Sequence, residues 1–224
     1  QRIADILGDG QMREERRLLV DGYDAEGSWS ADGRYVLYTH VREEAPAAAG
    51  PNDPPKDTPT IVADGDLWIF DTQTGKHVGL VKADGYDGGP FFSPDGKWIC
   101  YRSDRRGDNQ LQLFAAELAF DASGAPTDIK REVQLTDNAD VNWAPFWHPS
   151  GKFLVYGTSA QGHSNYEVYA IEFNPDKPAT DLRSRRVTQA SGADVLPVFS
   201  PDGKYMMWTA QRGPLAAGEP RPSS

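Results

Sequence analysis

The fold is decided by the stretch Pro90-Phe91-Phe92-Ser93-Pro94-Asp95-Gly96-Lys97-Trp98-Ile99-Cys100-Tyr101. In its Ser-Pro-Asp-Gly centre, the proline presets a negative φ, the aspartate can accept hydrogen bonds from amides ahead of it, and the glycine can take a positive φ. Aromatic and β-branched residues, which favour strands, lie around this centre. The stretch therefore predicts a β-hairpin with a tight turn.

The same pattern occurs in four places, at residues 27–38, 90–101, 145–156 and 197–208. The turn glycines are Gly33, Gly96, Gly151 and Gly203, at intervals of 63, 55 and 52 residues. Joining the two chain ends gives a fourth interval of 54 residues. These periods exceed the roughly 40–45 residues of WD repeats, but they indicate a repeat architecture of the same kind.

Two further strands belong to each repeat. A third strand follows the hairpin at residues 66–71, 110–114 and 166–171. An outer strand comes before the next hairpin, at residues 17–20, 77–81, 132–136 and 186–189. A unit of four antiparallel strands is the make-up of a propeller blade.

The repeated aromatic-Ser-Pro-Asp-Gly-Lys-aromatic unit is followed by the loop Ser103-Asp104-Arg105-Arg106-Gly107 and a Leu-aromatic strand. This combination resembles the repeat of the TolB-like β-propeller family, whose repeats are WD40-like Pro-Asp repeats. The resemblance covers nearly the whole chain, and four copies make it specific for the fold. It is much less specific for function, because one fold serves many functions.

We therefore predict one all-β domain over residues 1–224, a β-propeller with four blades of four antiparallel strands. The near-equal intervals suggest a ring closed in one shared blade, with inner strands at 196–200 and 204–210 and outer strands at 2–6 and 16–20. Such closure leaves no unpaired end blade. The alternative is a fragment of a six- or seven-bladed chain, the size usual for TolB relatives. The Pro/Ala-rich segment 45–60 is predicted to be an irregular loop.

Composition limits the classes of ligand. Asp and Glu number 33 against 23 Lys and Arg, giving a formal charge of −10, so the surface field disfavours nucleic acid and anionic membranes as direct ligands. No apolar stretch approaches the 18 residues of a membrane-spanning helix, which argues against direct membrane insertion. The lone Cys100 permits no internal disulfide and leaves the compartment open.

Catalytic motifs are not found in the sequence. It contains no Gly-x-Ser-x-Gly elbow, no His-Glu-x-x-His and no phosphate-binding glycine loop. The four histidines fall in different parts of different repeats, and His148 replaces serine in a hairpin turn, which favours a solvated or turn-capping role. We therefore predict no catalytic residue and no cofactor.

Acidic loops precede the inner strands and supply the candidate metal ligands Asp24, Asp87, Asp140 and Asp194. Clustered carboxylates at the channel mouth could hold a hard cation such as Ca²⁺. The alternative interpretation is that these aspartates form Asx-type turns between blades.

The same face is predicted to present Tyr23, Tyr86, Trp143, Arg105 and Arg106, residue types that binding surfaces favour. The leading hypothesis is a non-catalytic protein-interaction or structural subunit. The TolB resemblance implies a periplasmic or otherwise exported protein of the bacterial envelope, with a protein partner, in a larger or membrane-bound complex. The alternatives are a carbohydrate-active lyase or hydrolase with its site at the channel, and a propeller that binds Ca²⁺ or a small ligand.

Overall fold

The computed structural model describes residues 22–42, 64–108 and 110–211. These residues form β-strands, one short 3-10 helix at Ala179–Asp181, and connecting turns. Blade I contains β1 (Tyr23–Trp29), β2 (Tyr35–Val41), β3 (Gly65–Asp71) and β4 (His77–Val81). Blade II contains β5 (Asp87–Phe92), β6 (Trp98–Ser103), β7 (Gln112–Phe120) and β8 (Pro126–Gln134). Blade III contains β9 (Asn142–Trp147), β10 (Phe153–Thr158), β11 (Glu167–Glu172) and β12 (Ser184–Arg186), and blade IV contains β13 (Asp194–Phe199) and β14 (Met206–Ala210).

Neighbouring strands in each sheet are consecutive in the chain and antiparallel. The prediction of an all-β chain built from antiparallel hairpins is therefore confirmed. The third and outer strands also form where the repeats predicted them in blades I to III. Their boundaries differ: β7 extends to Phe120, β8 begins at Pro126 rather than at residue 132, and β12 ends at Arg186, where the predicted strand 186–189 begins.

The turn chemistry follows the sequence. In blade II, the Ser93 hydroxyl donates to Asp95 Oδ1 at 2.7 Å and accepts the backbone N–H of Trp98 at 2.9 Å. Gly96 takes a φ of 68°, in the left-handed region that glycine adopts without strain. In blade III, His148 Nδ1 accepts the backbone N–H of Ser150 at 3.1 Å, so the predicted turn-capping role of this histidine is confirmed.

The blades pack face to face through two hydrophobic clusters. One joins blades I and II and includes Leu37, Ile69 and Ile99. The other joins blades II and III and includes Cys100 and Leu154. Because side chains alternate along a strand, β6 sends Ile99 to one cluster and its neighbour Cys100 to the other. The thiol is fully buried, and burial raises its pKa above the usual range.

Blade IV differs from the other three, because its described residues form only two strands. Met207 of β14 is 70% exposed, whereas Cys100 and Val155, at the same repeat position in blades II and III, are 0% and 1% exposed. The predicted outer strands at 2–6 and 16–20 lie outside the described residues, and so does the predicted loop at 45–60.

Candidate functional site

The blades present two ends to solvent. The loop face carries the loops that precede the inner strands, together with residues 103–108. The turn face carries the four turns at residues 30–33, 93–96, 148–151 and 200–203. All the site residues predicted from the sequence belong to the loop face.

Asp87 and Arg105 form an ion pair on the loop face. Asp87 is fully buried at the start of β5, and its Oδ1 lies 3.0 Å from Arg105 Nη2. Arg105 also pairs with Glu132, with 2.6 Å between Nη1 and Oε1, and its guanidinium stacks on Phe114. Burial raises the pKa of Asp87, against the lowering effect of hydrogen bonds from Ser103 and Arg105. The structure thus commits both side chains to contacts within blade II.

Two of the other three aspartate candidates, Asp24 and Asp194, also lie at the starts of inner strands. Asp24 Oδ1 lies 3.0 Å from Nδ1 of the buried His40, and Asp194 is fully buried at the start of β13. In blade III the corresponding residue is Asn142, not Asp140, which lies in the preceding loop. Within residues 22–42, 64–108 and 110–211, no group of three or more His, Cys, Asp or Glu side chains is arranged to hold a metal ion.

Tyr86 belongs to a polar clasp between blades I and II. Glu26 Oε2 accepts the Tyr86 hydroxyl at 3.0 Å and the Gly89 N–H at 2.7 Å, and Glu26 Oε1 lies 2.5 Å from Arg102 Nη2. Burial alone would raise the pKa of Glu26, but Arg102 and these hydrogen bonds outweigh it and hold that pKa below its usual range. The clasp fixes the relative position of the first two inner strands.

The remaining partner candidates differ in how far they are engaged. Arg106 is held by Asp108 and by Asp137, with 2.8 Å between Arg106 Nη1 and Asp137 Oδ1. Trp143 packs edge-on against Tyr166, with ring centroids 6.2 Å apart. Tyr23 is 39% exposed at the start of β1.

Each inner strand is bent by a β-bulge at the same repeat position. The residues with positive φ are Glu26 (53°), Gly89 (61°), Ala144 (51°) and Leu196 (54°). The pairing register shifts at this point in the hairpins of all four blades. Bulges bend a strand and re-aim its side chains. Three of these four residues are not glycine, and a positive φ is unfavourable for them, so these bends carry local backbone strain.

The turn face holds a feature that the sequence interpretation missed, an apolar hollow of about 420 Å³ that we call the central hollow. All four blades contribute to it at matching positions. Its walls include the aromatic residues that directly precede the turns, Trp29, Phe92, Trp147 and Phe199. Trp29 is 62% exposed, an unusual state for so large an apolar side chain.

A second depression, which we call the side hollow, lies between the turns of blades II and III. It also has a volume of about 420 Å³, and it shares Pro94, Trp147 and Pro149 with the central hollow. Phe173 lines it and packs edge-on against Trp147, with 4.7 Å between ring centroids. The two hollows therefore adjoin at these three residues, and the side hollow also has polar walls formed by Ser93, Asp95 and Ser150.

A sequence signal for the central hollow exists, because an aromatic residue precedes the turn in all four repeats. From the sequence alone, these aromatics predict only strand formation. Trp147 is 4% exposed and packs as a core residue, whereas Trp29 is 62% exposed.

The chain is similar in sequence to several known proteins. It is 26% identical over 203 residues to the Tol-Pal system protein TolB of Francisella tularensis subsp. holarctica, covering 91% of this chain and 39% of that protein. It is 27% identical over 128 residues to an uncharacterized protein of Agrobacterium fabrum, covering 57% and 33%. The chain thus spans between a third and two fifths of the length of these relatives. No family model matches it.

Solved structures give the same result for the fold. A putative TolB from Agrobacterium tumefaciens superposes with a TM-score of 0.55 at 20% identity, covering 86% of this chain and 61% of that one. TolB from Acinetobacter baumannii gives a TM-score of 0.51 at 20% identity, covering 81% and 36%. Within the described residues, no helix has the length and apolar character to cross a membrane. In its repeats, its sequence and its fold, the chain is therefore similar to TolB-like β-propeller proteins.

Proposed function

We propose that the chain is a non-catalytic interaction subunit that docks on a protein partner through its turn face. The observation that carries this proposal is the central hollow, which matching positions of all four blades line with aromatic and proline side chains. A large exposed apolar depression on the surface of a protein is typical of a binding site. Aromatic side chains that fill or line such sites supply most of the affinity of many protein interfaces.

The loop face supports a structural role for most of the residues first considered there. Asp87 pairs with Arg105 through one carboxylate oxygen, and Glu26 holds Tyr86 and Arg102. Paired charges of this kind stabilise a scaffold, whereas catalysis needs groups that converge on a reacting atom. We therefore favour a binding role over the carbohydrate-active and Ca²⁺-binding alternatives.

The setting of this subunit is proposed from its relatives. One relative is named a Tol-Pal system protein. By analogy with it, we place this chain outside the cytoplasm, in the bacterial envelope or periplasm. We expect its partner to belong to a larger or membrane-associated assembly.

The architecture that we propose is a closed ring of four blades. The proposed ring closes at blade IV, whose described residues supply only β13 and β14. The support is the exposure of Met207, because residues at the same position of blades II and III are buried under neighbouring strands and blades. The sequence Asp21-Gly22-Tyr23-Asp24 also repeats Asp84-Gly85-Tyr86-Asp87, which links the outer strand of blade I to blade II.

The test of the proposed function is affinity purification of the tagged protein from membranes of its source organism in mild detergent, with mass spectrometry of the retained proteins. We expect one stoichiometric partner with the wild type and its loss with Trp29→Ala. Phe120→Ala is the matched control, because Phe120 is also an exposed aromatic (43%) but does not line either hollow. A wild type that retains no partner would contradict the proposal.

A further inference from the structure

A repeated arrangement of charges holds the outer parts of the blades. In blade II, Arg131 of β8 lies opposite Glu117 of β7, with 3.0 Å between Arg131 Nε and Glu117 Oε2. Arg131 also reaches blade III, where its Nη1 lies 3.1 Å from Asp176 Oδ1. In blade III, the equivalent Arg183 pairs with Glu172 at 3.2 Å. The basic residue at this repeat position is therefore held by carboxylates in both blades.

Blade I departs from this arrangement. Its equivalent residue is Lys76, whose carbonyl oxygen accepts the backbone N–H of Asp71 at 2.9 Å, as the Arg183 oxygen accepts the N–H of Glu172 in blade III. The carboxylate of Asp71, however, pairs with Arg34 at 2.7 Å. Lys76 is exposed and forms no ion pair with any residue that the structure describes. Among those residues, blades I and II thus lack the outer link that joins blades II and III.

A cavity of about 220 Å³ lies between blades I and II at the place of this link. Lys76 lines it on the side of blade I, and Asp121, seven residues beyond Phe114 as Asp176 is beyond Tyr169, lines it on the side of blade II. Its apolar walls are formed by Ile69, Val78, Ala125 and Pro126. Pockets for drug-sized ligands have volumes of roughly 300–1,000 Å³, so this cavity suits a smaller molecule.

The hydroxyl of Tyr35 independently indicates a ligand at this cavity. Tyr35 lines the cavity and is 8% exposed, and its Oη is buried without a hydrogen-bond partner among the described residues. Buried polar groups are hydrogen-bonded in the great majority of cases. The face of its ring is covered by Arg34, whose guanidinium carbon lies 4.8 Å from the ring centroid. The hydroxyl is therefore the part of Tyr35 that a ligand would engage.

The charges that line the cavity leave one cation and one carboxylate oxygen for a ligand. Arg34 and Asp71 pair with each other. Asp121 Oδ1 accepts the Ser123 hydroxyl at 2.6 Å and the Ala125 backbone N–H at 3.0 Å. The hydrogen bond from Ser123 is the main cause of the lowered pKa of Asp121, and nearby charge on Lys76 contributes less. Asp121 is thus ionised, and its Oδ2 accepts no hydrogen bond from a described residue.

We infer that this cavity binds a small zwitterion, an aliphatic α-amino acid. The ligand carboxylate pairs with Lys76, its ammonium group pairs with Asp121, and its side chain packs on Ile69 and Val78. A ligand with a single charge would leave the opposite charge of the site without a partner. The bound amino acid links blades I and II as Arg131 links blades II and III, so binding stabilises the fold. This inference goes beyond the docking role of the turn face and does not depend on it.

The test is isothermal titration calorimetry of the purified full chain with L-leucine. Two analogues keep the carbon skeleton and one charge each: 4-methylpentanoate lacks the ammonium group, and 3-methylbutylamine lacks the carboxylate. We expect L-leucine to saturate the protein below 10 mM. Both analogues should bind about tenfold more weakly or worse, because a hydrogen bond to a charged group is typically worth that much in affinity.

Variants locate the binding. Lys76→Met and Asp121→Asn should each weaken binding of L-leucine about tenfold or more. The asparagine keeps a side-chain oxygen that can accept the turn amides, and circular dichroism melts establish that each variant is folded. Lys152→Met is the matched control, because Lys152 is also exposed and does not line the cavity. Lys76→Arg can reach Asp121 as Arg131 reaches Asp176, so it should raise the melting temperature without ligand and remove the shift that L-leucine causes.

Three outcomes of the titrations would overturn the inference: no saturation by L-leucine at 10 mM, equally tight binding of either analogue, or unchanged binding by Lys76→Met. An undiminished melting shift by L-leucine in Lys76→Arg would also overturn it. Trp29→Ala separates this site from the turn face. It should lose the protein partner and still bind L-leucine like the wild type, so either proposal can fail while the other stands.

Discussion

Replacing Arg105 tests whether the loop-face charges stabilise the blade or serve a ligand. Arg105→Ala leaves the carboxylate of Asp87, 0% exposed, without its partner at 3.0 Å. Breaking a buried ion pair from one side typically costs about 3–5 kcal/mol. For a chain of 224 residues, with about 2–4 °C per kcal/mol, this lowers the melting temperature by about 6–20 °C. The assay is urea unfolding at pH 7, followed by circular dichroism, with a thermal melt for comparison.

Asp87→Asn sharpens the test, because its effect on the free energy of unfolding should have opposite signs in the wild type and in Arg105→Ala. In the wild type it removes half of the pair and destabilises the fold. In Arg105→Ala it removes an unpaired buried charge and should stabilise. Burial already raises the pKa of Asp87, so in Arg105→Ala the folded pKa lies above the unfolded one. The free energy of unfolding of Arg105→Ala therefore falls as the pH rises from the unfolded to the folded pKa of Asp87, and adding Asp87→Asn abolishes this fall. Equal destabilisation by Asp87→Asn in both backgrounds would refute the pairing.

Three further outcomes follow from local geometry. Glu26 has a lowered pKa in the folded state, so it stabilises the fold above its unfolded pKa, and this stabilisation is lost as the pH falls through the folded pKa. Glu26→Gln should therefore reduce the pH dependence of the free energy of unfolding at acidic pH. An unchanged pH dependence would contradict this. Gly22→Ala should destabilise more than Gly33→Ala in thermal melts, because both have φ near 70° but an added Cβ meets a backbone carbonyl oxygen at 2.1 Å only at Gly22; equal costs would refute the clash. If the ring closes over β14, Met207→Ser should lower the melting temperature more than Val187→Ser at another exposed site, and equal small effects would count against closure.

Much of the fold could be predicted because its determinants are local and repeated. The turn at Ser93-Pro94-Asp95-Gly96 needs only its own residues to close, since Ser93, Asp95 and the strand residues satisfy one another within six positions. The same chemistry recurs with small changes, so four copies gave four hairpins. The bulges could not be predicted in this way, because the residues with positive φ are Glu, Gly, Ala and Leu and share no sequence preference.

The candidate site was harder to predict because it depends on contacts between blades. Reading Asp137-Asn138-Ala139-Asp140 as a loop equivalent to Asp84-Gly85-Tyr86-Asp87 led to Asp140 as a candidate. The blade III loop is longer, and Asn142 takes the position instead. Arg105 and Tyr86 looked available for a partner because their partners, Asp87 and Glu26, are identified only when the chain is folded.

The same comparison of repeat positions explains why the turn face stands out. An aromatic residue before the turn is a packing residue where the next blade covers it, as Trp147 is covered between Phe173 and the second cluster. In blade I the matching Trp29 has no such cover among the described residues and is 62% exposed. One repeated sequence feature thus gives a core residue in one blade and an exposed apolar surface in another. Burial of an exposed tryptophan by a partner would gain the stabilisation that packing supplies in blade III, which is why we place the interaction at this face.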